Sequence, residues 1–347
     1  MVNKGKGCRY GSHRVLEPKG ILPQPAQKLD NSMSVYDNEV LIDVSTLNID
    51  SASYTQIRAA CDGDAGRMKA MILSIVEERG KLQNPVTGSG GMLIGVVRDI
   101  GDSYPDKKLR VGDRIATLVS LSLTPLKILR IKHLDPGHDQ VDVEAQAILF
   151  ESGIYALVPP DLPEKLALAV LDVAGAPAQV DRLVHEGDTV CIIGGGGKSG
   201  ILCCYQAMKN VGPYGRVIVI EYSKVNAQRI IDMGLATDVI IADATDALDV
   251  YHRVTAITGF RGCDVTINNV NVPNTEMTSI LVTKGQGLIY FFSMATSFTK
   301  AALGAEGVGK DIELIVGNGY AKGHSDLALN ILRESDGIRS LFEAQYI

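Results

Sequence analysis

The stretch Val190-Cys-Ile-Ile-Gly-Gly-Gly-Gly-Lys-Ser-Gly200 joins a short apolar strand to a segment with helical spacing. Gly195, Gly197 and Gly200 match the pattern G-x-G-x-x-G. The first glycine permits a tight turn, the second lets a pyrophosphate approach the backbone, and the third lets helix and strand pack closely. The N-terminus of the following helix offers free N–H groups and a partial positive charge. The stretch therefore predicts a dinucleotide-binding site.

An acidic residue at the end of the next strand strengthens this prediction. Glu221 follows Gly200 by 21 residues, where a carboxylate accepts hydrogen bonds from the ribose hydroxyls of NAD. It would repel a 2′-phosphate, which favours NAD over NADP, although Lys224 and Arg229 lie close by in the sequence. The predicted cofactor-binding residues are Gly195, Gly197, Lys198, Ser199, Gly200, Glu221, Tyr222, Lys224, Asp243 and Val270.

The same glycines also resemble the phosphate loop of nucleoside triphosphatases. That loop requires a glycine five residues before its Gly-Lys pair, at position 192, and this position is Ile192. The segment is too short to wrap a triphosphate, so we assign Lys198 to a position at the solvent side or near a phosphate.

Strands and helices alternate after Pro159-Pro160, which marks a boundary because residues before proline avoid the helical conformation. Apolar strands separated by helices predict a buried parallel sheet. One long helix is expected over residues 162–183, and the last strands over residues 287–292 and 312–316. Residues 1–158 predict mainly strands, among them 39–44, 91–99 and 147–150, with helical spacing over 56–79.

Composition excludes several classes of partner. The chain has 347 residues, a net charge of -6, 5% aromatic residues and no Trp, which argues against nucleic-acid and anionic-membrane partners. No apolar stretch is long enough for a membrane span and no signal peptide is evident, which predicts a cytoplasmic protein. The six cysteines form no C-x-x-C pair, which disfavours a zinc knuckle or a disulfide framework.

Segments along most of the chain resemble the medium-chain dehydrogenase/reductase superfamily: Glu39-Val-Leu-Ile-Asp-Val44, Val111-Gly-Asp-Arg114, the glycine loop and Gly262-Cys-Asp-Val265. The resemblance implies an α/β fold, with a GroES-like, mostly β catalytic domain (1–158) before a Rossmann doubly wound parallel sheet that binds NAD (159–311). Residues 312–347 would return to the catalytic domain. It also implies a homodimer or a tetramer, in which the apolar last strand pairs with a second copy.

A narrower resemblance is to the L-erythro-3,5-diaminohexanoate dehydrogenase family of lysine fermentation. It implies NAD-dependent oxidative deamination of a small diamino acid to a 3-oxo acid, with release of ammonium. The segments that carry it are Tyr10-Gly-Ser-His-Arg-Val15, Glu17-Pro-Lys-Gly20, Leu22-Pro-Gln-Pro25, Leu47-Asn-Ile-Asp-Ser-Ala-Ser53, Asn84-Pro-Val-Thr-Gly-Ser-Gly-Gly91 and Asp172-Val-Ala-Gly-Ala-Pro-Ala-Gln179.

The superfamily's zinc ligands are missing. Asp50 and Ser89 stand where the first Cys and the His of zinc-dependent members would be, Gly90 replaces the following Glu, and the third ligand position falls near Val173. A single carboxylate does not make a tetrahedral nitrogen and sulfur site, so we expect no metal.

Without a metal, the reaction needs a base that deprotonates the 3-ammonium group before hydride leaves. The resemblance places Asp50 beside the nicotinamide, with Glu151 as a second candidate base and Tyr54 and Ser89 as groups that hold water or relay protons. Three of these residues have an ordinary structural alternative: Asp50 as a helix cap, Glu151 as a surface acid and Tyr54 as a core aromatic. His13, Arg14 or the backbone of residues 87–91 would meet the substrate carboxylate.

Two other functions stay open at this point. A zinc-free quinone or enoyl reductase of the same superfamily would prefer NADPH and a basic residue near position 221. A regulator that binds NAD without catalysis would not need acids around the nicotinamide.

Overall fold

The structure, a computed structural model, describes residues 5–317 and 319–346. Contacts within the chain form two compact units: residues up to Asp172 together with Tyr346 make the first, and Val173–Gln345 make the second. The two units are described separately. The three-part division expected at 158/159 and 311/312 stays a prediction.

The first unit is built on an antiparallel six-stranded sheet with two helices. Its elements are β1 (Val15–Glu17), β2 (Lys28–Leu29), β3 (Val40–Ile49), α1 (Ser51–Ala60), α2 (Ala65–Arg79), β4 (Gly91–Ile100), β5 (Arg114–Thr117), β6 (Leu126–Leu134), β7 (Gln140–Leu149), β8 (Tyr155–Leu157) and α3 (Glu164–Leu171). The large sheet has the order β6-β7-β3-β4-β5-β8, and β1 pairs with β2 separately. One face of β3 carries the apolar core, with Ile42, Leu47 and Ile49 fully buried.

The helical spacing over 56–79 resolves into two helices instead of one. Asp62 and Gly63 have φ values of 51° and 72°, which end α1, and Asp64 caps α2 by accepting a hydrogen bond from the Arg67 N–H at 2.7 Å. The left-handed backbone explains the break, because a continuous helix cannot contain it.

Strand lengths also differ from expectation in this unit. β3 runs to Ile49 instead of ending at residue 44, and β7 begins at Gln140 instead of residue 147. β6 was not predicted, because it lies at the sheet edge and alternates exposed basic residues with apolar ones. These longer strands matter because the end of β3 carries Asp50.

The second unit alternates strands and helices. Its elements are α4 (Gly175–Leu183), β9 (Thr189–Ile193), α5 (Lys198–Val211), β10 (Arg216–Glu221), α6 (Lys224–Asp232), β11 (Asp238–Ile241), α7 (Ala247–Thr258), β12 (Cys263–Asn268), α8 (Glu276–Val282), β13 (Thr283–Phe291), α9 (Phe298–Gly307), β14 (Glu313–Val316), α10 (His324–Glu334) and α11 (Asp336–Tyr346). The helix expected over 162–183 is divided into α3 and α4.

All six strands of the second unit are parallel, in the order β11-β10-β9-β12-β13-β14. The chain therefore reverses direction across the sheet between β9 and β12, which is the switch point where doubly wound sheets bind ligands at the carboxyl ends of their strands. This confirms the predicted α/β fold. β14 is the edge strand, as the sequence predicted.

Among residues 5–317 and 319–346, the helices are too short or too polar to cross a lipid bilayer.

Candidate functional site

The glycine loop between β9 and α5 is held by close packing. Gly194 has a φ of 81°, so the left-handed turn lies at Gly194. The sequence analysis expected this turn one residue later, at Gly195. A Cβ atom on Gly195 would overlap Val219, and one on Gly200 would overlap the carbonyl oxygen of Gly194. Gly197, in contrast, has open space around it. Of the three glycines of the motif, Gly195 and Gly200 are therefore closely packed and Gly197 faces free volume.

Glu221 ties this loop to the end of β10. Its carboxylate accepts the N–H of Gly196 at 2.8 Å and the N–H of Ser223 at 2.9 Å, one on each oxygen. The side chain is 8% exposed. Each oxygen keeps a further acceptor position, because a carboxylate oxygen accepts more than one hydrogen bond. Glu221 is therefore fixed in place while it can still accept a hydroxyl.

A cavity of about 270 Å³ opens beside Glu221 at the carboxyl ends of β9 to β12. Four predicted residues line it: Glu221, Tyr222, Asp243 and Val270. Gly194, Ala242, Ala244 and Thr245 also line it and were not predicted. The Asp243 carboxylate accepts hydrogen bonds from the N–H and hydroxyl of Thr245, and these hold the pKa of Asp243 below its usual range.

The remaining predicted cofactor residues lie next to this cavity. Gly195 and Gly197 belong to the loop, while Lys198, Ser199 and Gly200 form the first turn of α5. Lys224 begins α6, whose first turn is capped by the Ser223 hydroxyl. Within the second unit, the structure thus brings all ten predicted residues to one edge of the sheet.

Asp50 follows β3 in the first unit and caps α1. Its Oδ1 atom accepts the N–H of Ser53 at 3.0 Å. Its Oδ2 atom is shielded from solvent and has no hydrogen-bond partner. The helix-cap alternative is therefore correct for one oxygen, and the other oxygen has a free acceptor position.

Three hydroxyl groups form a ring beside α1. The Ser53 oxygen lies 2.6 Å from that of Thr87 and 2.7 Å from that of Ser89, and the Thr87 and Ser89 oxygens are 3.0 Å apart. Ser53 is buried and Thr87 is exposed. Ser89, a predicted site residue, is thus in contact with the helix that Asp50 caps. The sequence analysis named the backbone at Thr87 but did not predict a role for its hydroxyl.

Tyr54 is held in the apolar core. It is 5% exposed, and its hydroxyl donates a hydrogen bond to the carbonyl oxygen of Asp135. Burial, followed by the charges of Asp135 and Asp139, raises the pKa of Tyr54 to about 12. A phenol that is protonated and already donating is a poor proton relay, so its structural role is favoured.

Glu151 lies far from Asp50. Asn48 pairs with Gln140 and Val40 with Leu149, so Asp50 and Glu151 follow opposite ends of one antiparallel ladder. At about 3.3 Å per residue, they are roughly 30 Å apart. Glu151 instead accepts a hydrogen bond from the Asn38 side chain at 2.8 Å and lies 3.8 Å from the Lys6 ammonium. The structure does not bring the two candidate bases together.

Arg14 and His13 are also engaged elsewhere, which corrects their expected contact with the substrate carboxylate. Arg14 is fully buried and donates two hydrogen bonds to the carboxylate of Glu39, at 2.7 and 2.6 Å. His13 lies 2.9 Å from the same carboxylate. Burial would raise the pKa of Glu39, but these partners outweigh it and lower the pKa to about 2.

No group of three His, Cys, Asp or Glu side chains arranged to hold a metal occurs in the described part of the chain. The expectation of a metal-free enzyme stays a prediction.

Two relatives that match this chain along almost its whole length carry the same enzyme name. The L-erythro-3,5-diaminohexanoate dehydrogenase of Acetoanaerobium sticklandii is 57% identical over 343 residues, covering 99% of this chain and 100% of that protein. The enzyme of the same name from Fusobacterium nucleatum subsp. nucleatum is 58% identical over 346 residues, covering 99% of each. The chain belongs to the L-erythro-3,5-diaminohexanoate dehydrogenase family. A model of that family's N-terminal domain matches residues 13–159.

Solved structures share the fold at much lower identity. The quinone oxidoreductase of Pseudomonas syringae pv. tomato DC3000 superposes with a TM-score of 0.51 and 16% identity, covering 91% of this chain and 83% of that one. At this identity the similarity concerns the fold alone.

Proposed function

We propose that this chain oxidises L-erythro-3,5-diaminohexanoate with NAD and water to 5-amino-3-oxohexanoate, ammonium, NADH and a proton. The observation that carries the proposal is the identity of 57% and 58% to two dehydrogenases of this name along almost the whole chain. We place the reaction in cytoplasmic lysine fermentation. A quinone or enoyl reductase shares the fold at 16% identity, which carries no argument about substrate.

The residues of the second unit fit a dinucleotide. The open space at Gly197 leaves room for a pyrophosphate against the backbone, and the N-terminus of α5 points N–H groups toward it. The cavity beside Glu221 has apolar walls from Ala242, Ala244 and Val270, which suit an adenine ring. A carboxylate at Glu221 favours ribose hydroxyls over a 2′-phosphate, which supports NAD.

When bound, the nicotinamide supplies the hydride acceptor. The chain's own contribution is a base, because an ammonium has no lone pair to expel hydride until it loses a proton. Asp50 is the best-supported base: Ser53 fixes one oxygen and the other oxygen is free to accept that proton. Once Asp50 has lost that proton to solvent, which is the proton released in the overall reaction, its carboxylate can accept a proton from the water that attacks the iminium carbon. Ser53, Thr87 and Ser89 are suited to order that water.

We also propose that no metal takes part and that the enzyme is a homodimer or a tetramer. The metal-free reaction is supported by Asp50 and Ser89, which stand where zinc-dependent members of the superfamily have two of their zinc ligands. Activity should therefore survive a strong chelator.

The assembly is supported by the partly exposed edge strand β14, because an unpaired sheet edge favours pairing with a second copy. Light scattering at micromolar concentration should give at least twice the chain's 37.1 kDa; a monomer would contradict the assembly.

Absorbance in the NADH band tests the central proposal. The protein is incubated with NAD and the diamino acid, and ammonium release is measured in parallel. Equal amounts of NADH and ammonium are expected. NADH without ammonium would point to oxidation of another group, and reduction of a quinone with NADPH would favour the alternative. No turnover with any of these substrates would support a regulator that binds NAD.

A further inference from the structure

Two buried amide side chains at the end of β3 lack hydrogen-bond partners. Asn48 is fully buried, and neither its oxygen nor its nitrogen has a partner. Gln140 faces Asn48 across the β3–β7 ladder, is 9% exposed, and has an unpartnered Oε1 atom. Leaving such a group unpaired costs about 1–3 kcal/mol, so buried polar atoms of this kind favour the binding of a partner that completes their hydrogen bonding.

Asn48 and Asp50 share one face of the chain. Leu47 and Ile49 point into the apolar core, so the alternating side chains of Asn48 and Asp50 point to the other face. Two residues of extended chain separate their Cα atoms by about 7 Å. The unpartnered Oδ2 atom of Asp50 and the oxygen of Asn48 therefore offer two neighbouring acceptors.

A cavity of about 210 Å³ lies in the first unit and is lined by Gln140, the partner of Asn48 across the ladder. Gln140, Asp135, Asp139 and Lys165 are among the residues that line it. Its wall is bonded directly to β3, since the Ile49 N–H donates to the carbonyl oxygen of Asp139 at 2.9 Å. The carboxylates of Asp135 and Asp139 in the lining favour a ligand that carries ammonium groups.

We propose that Asn48 and Gln140 bind the second ammonium group of a 1,3-diammonium ligand while Asp50 faces the ammonium that reacts. The assignment rests on the proposed function, because it takes 3,5-diaminohexanoate as the substrate. Asn48 is covered in this structure. The ligand reaches it from the cavity by displacing the Gln140 side chain, whose Nε2 atom donates to the carbonyl oxygen of Lys165 at 3.1 Å.

The amide pair makes the enzyme selective for diamines. An ammonium N–H bonds the amide oxygens in a site shielded from water, where such bonds are stronger than in solution. A ligand without the second amino group would leave these oxygens unpaired. Sites of this kind reject the analogue that lacks the hydrogen-bonding group.

Binding of simple amines tests the proposal without turnover. The full chain, saturated with NAD, is titrated calorimetrically with 1,3-diaminopropane and with propylamine. The wild type should bind the diamine at least about tenfold more tightly, since one hydrogen bond to a charged group is worth about 1.5–3 kcal/mol. Asn48→Val and Gln140→Leu should each reduce this preference severalfold or more. The melting temperature of Asn48→Val should not fall, because that variant removes a buried side chain without hydrogen-bond partners, whereas Gln140→Leu also loses the hydrogen bond from Nε2 to the Lys165 carbonyl oxygen.

Thr46→Val is the matched control. Thr46 precedes Asn48 by two residues in β3, and its hydroxyl already has a partner in the carboxylate of Asp142 at 3.3 Å. This variant should keep the wild-type preference for the diamine. If Asn48→Val does not fold, Gln140→Leu decides.

Equal binding of the two amines by the wild type, or a full preference retained in the folded Asn48 and Gln140 variants, would overturn the proposal. Failure of the proposed function looks different. In that case the wild type does not release NADH and ammonium from 3,5-diaminohexanoate, whatever its preference among simple amines.

Discussion

Polar side chains are hydrogen-bonded differently at the carboxyl edge of the parallel sheet and at the end of β3. At the sheet edge, both oxygens of Glu221 accept backbone N–H groups, so the carboxylate is fixed before any ligand arrives. At the end of β3, Asp50 has one bonded and one unpartnered oxygen, and neither polar atom of the Asn48 side chain has a partner. In the proposed function, the first site binds a dinucleotide through its backbone shape, and the second keeps polar groups free for chemistry.

The sharpest test of this contrast is Asp50→Asn, which keeps the size of the side chain and removes its basicity. We expect kcat to fall by roughly 10²–10⁴-fold, the range for one acid–base group. The affinity for NAD should change little, because the glycine loop and Glu221 are untouched. Steady-state turnover and NAD titration measure the two effects.

Glu151→Gln is the control for that experiment. Glu151 follows the opposite end of the β3–β7 ladder, so its kcat should stay within about twofold of the wild type. A collapse of activity in the Glu151 variant with an active Asp50 variant would exchange their roles. Activity in both would place the base elsewhere.

Two glycines of one loop test the other side of the contrast. Gly197→Val should fold normally, because open space surrounds Gly197, and should lose NAD binding by more than about tenfold as its side chain fills the pyrophosphate position. Gly200→Val should instead unfold or melt at a markedly lower temperature, because its Cβ would overlap the carbonyl oxygen of Gly194. Thermal unfolding and NAD titration of both variants separate the two effects. Normal NAD binding by Gly197→Val would contradict the pyrophosphate assignment.

The sequence predicted the first of these regions far better than the second. Gly195, Gly200 and Glu221 follow a pattern set by local backbone requirements, so spacing alone places them at one edge. Asn48 and Gln140 are 92 positions apart and meet through the pairing of β3 with β7, a strand whose first seven residues the sequence did not predict. The sequence could not show how far Glu151 lies from Asp50 for the same reason, because that distance depends on the strand register.

We expect a smaller effect from changing Glu221, because the change alters the preference for NAD over NADP more than it alters the affinity for NAD. Glu221→Gln keeps an acceptor for the N–H of Gly196 and removes the negative charge. The ratio of NADP to NAD affinity should rise by about tenfold, which corresponds to about 1.4 kcal/mol, since the repulsion of a 2′-phosphate is gone. Titration of both dinucleotides measures it, and wild-type protein that binds NADP more tightly would refute the assignment.

Lys81 allows the same comparison to be made through protein stability. It is a buried charged residue of the first unit whose ammonium has hydrogen-bond partners, unlike the side chain of Asn48. It is fully buried, and its ammonium donates to the carbonyl oxygens of Pro23 and Gln24 at 2.7 and 3.0 Å. Burial, with a smaller effect of Arg79, lowers the pKa of Lys81 from 10.5 to about 8. Between these two values the unfolded chain holds a proton that the folded chain has released, so this lysine makes the fold more stable as pH rises from about 8 to 10.5.

Lys81→Met should remove that rise. The free energy of unfolding of the wild type minus that of the variant should increase by up to about 3 kcal/mol between pH 7.5 and 10.5, by the value of 1.4 kcal/mol per pKa unit. Urea unfolding at the two pH values gives this difference, and other titrating groups cancel because both proteins contain them. Activity at pH 7.5 should be retained, since a partnered buried group is not the kind that the contrast assigns to chemistry. If the difference in free energy of unfolding did not change with pH, the Lys81 ammonium would not be desolvated. Loss of activity in a folded Lys81→Met variant would contradict the assignment of chemistry to the unpartnered groups at the end of β3.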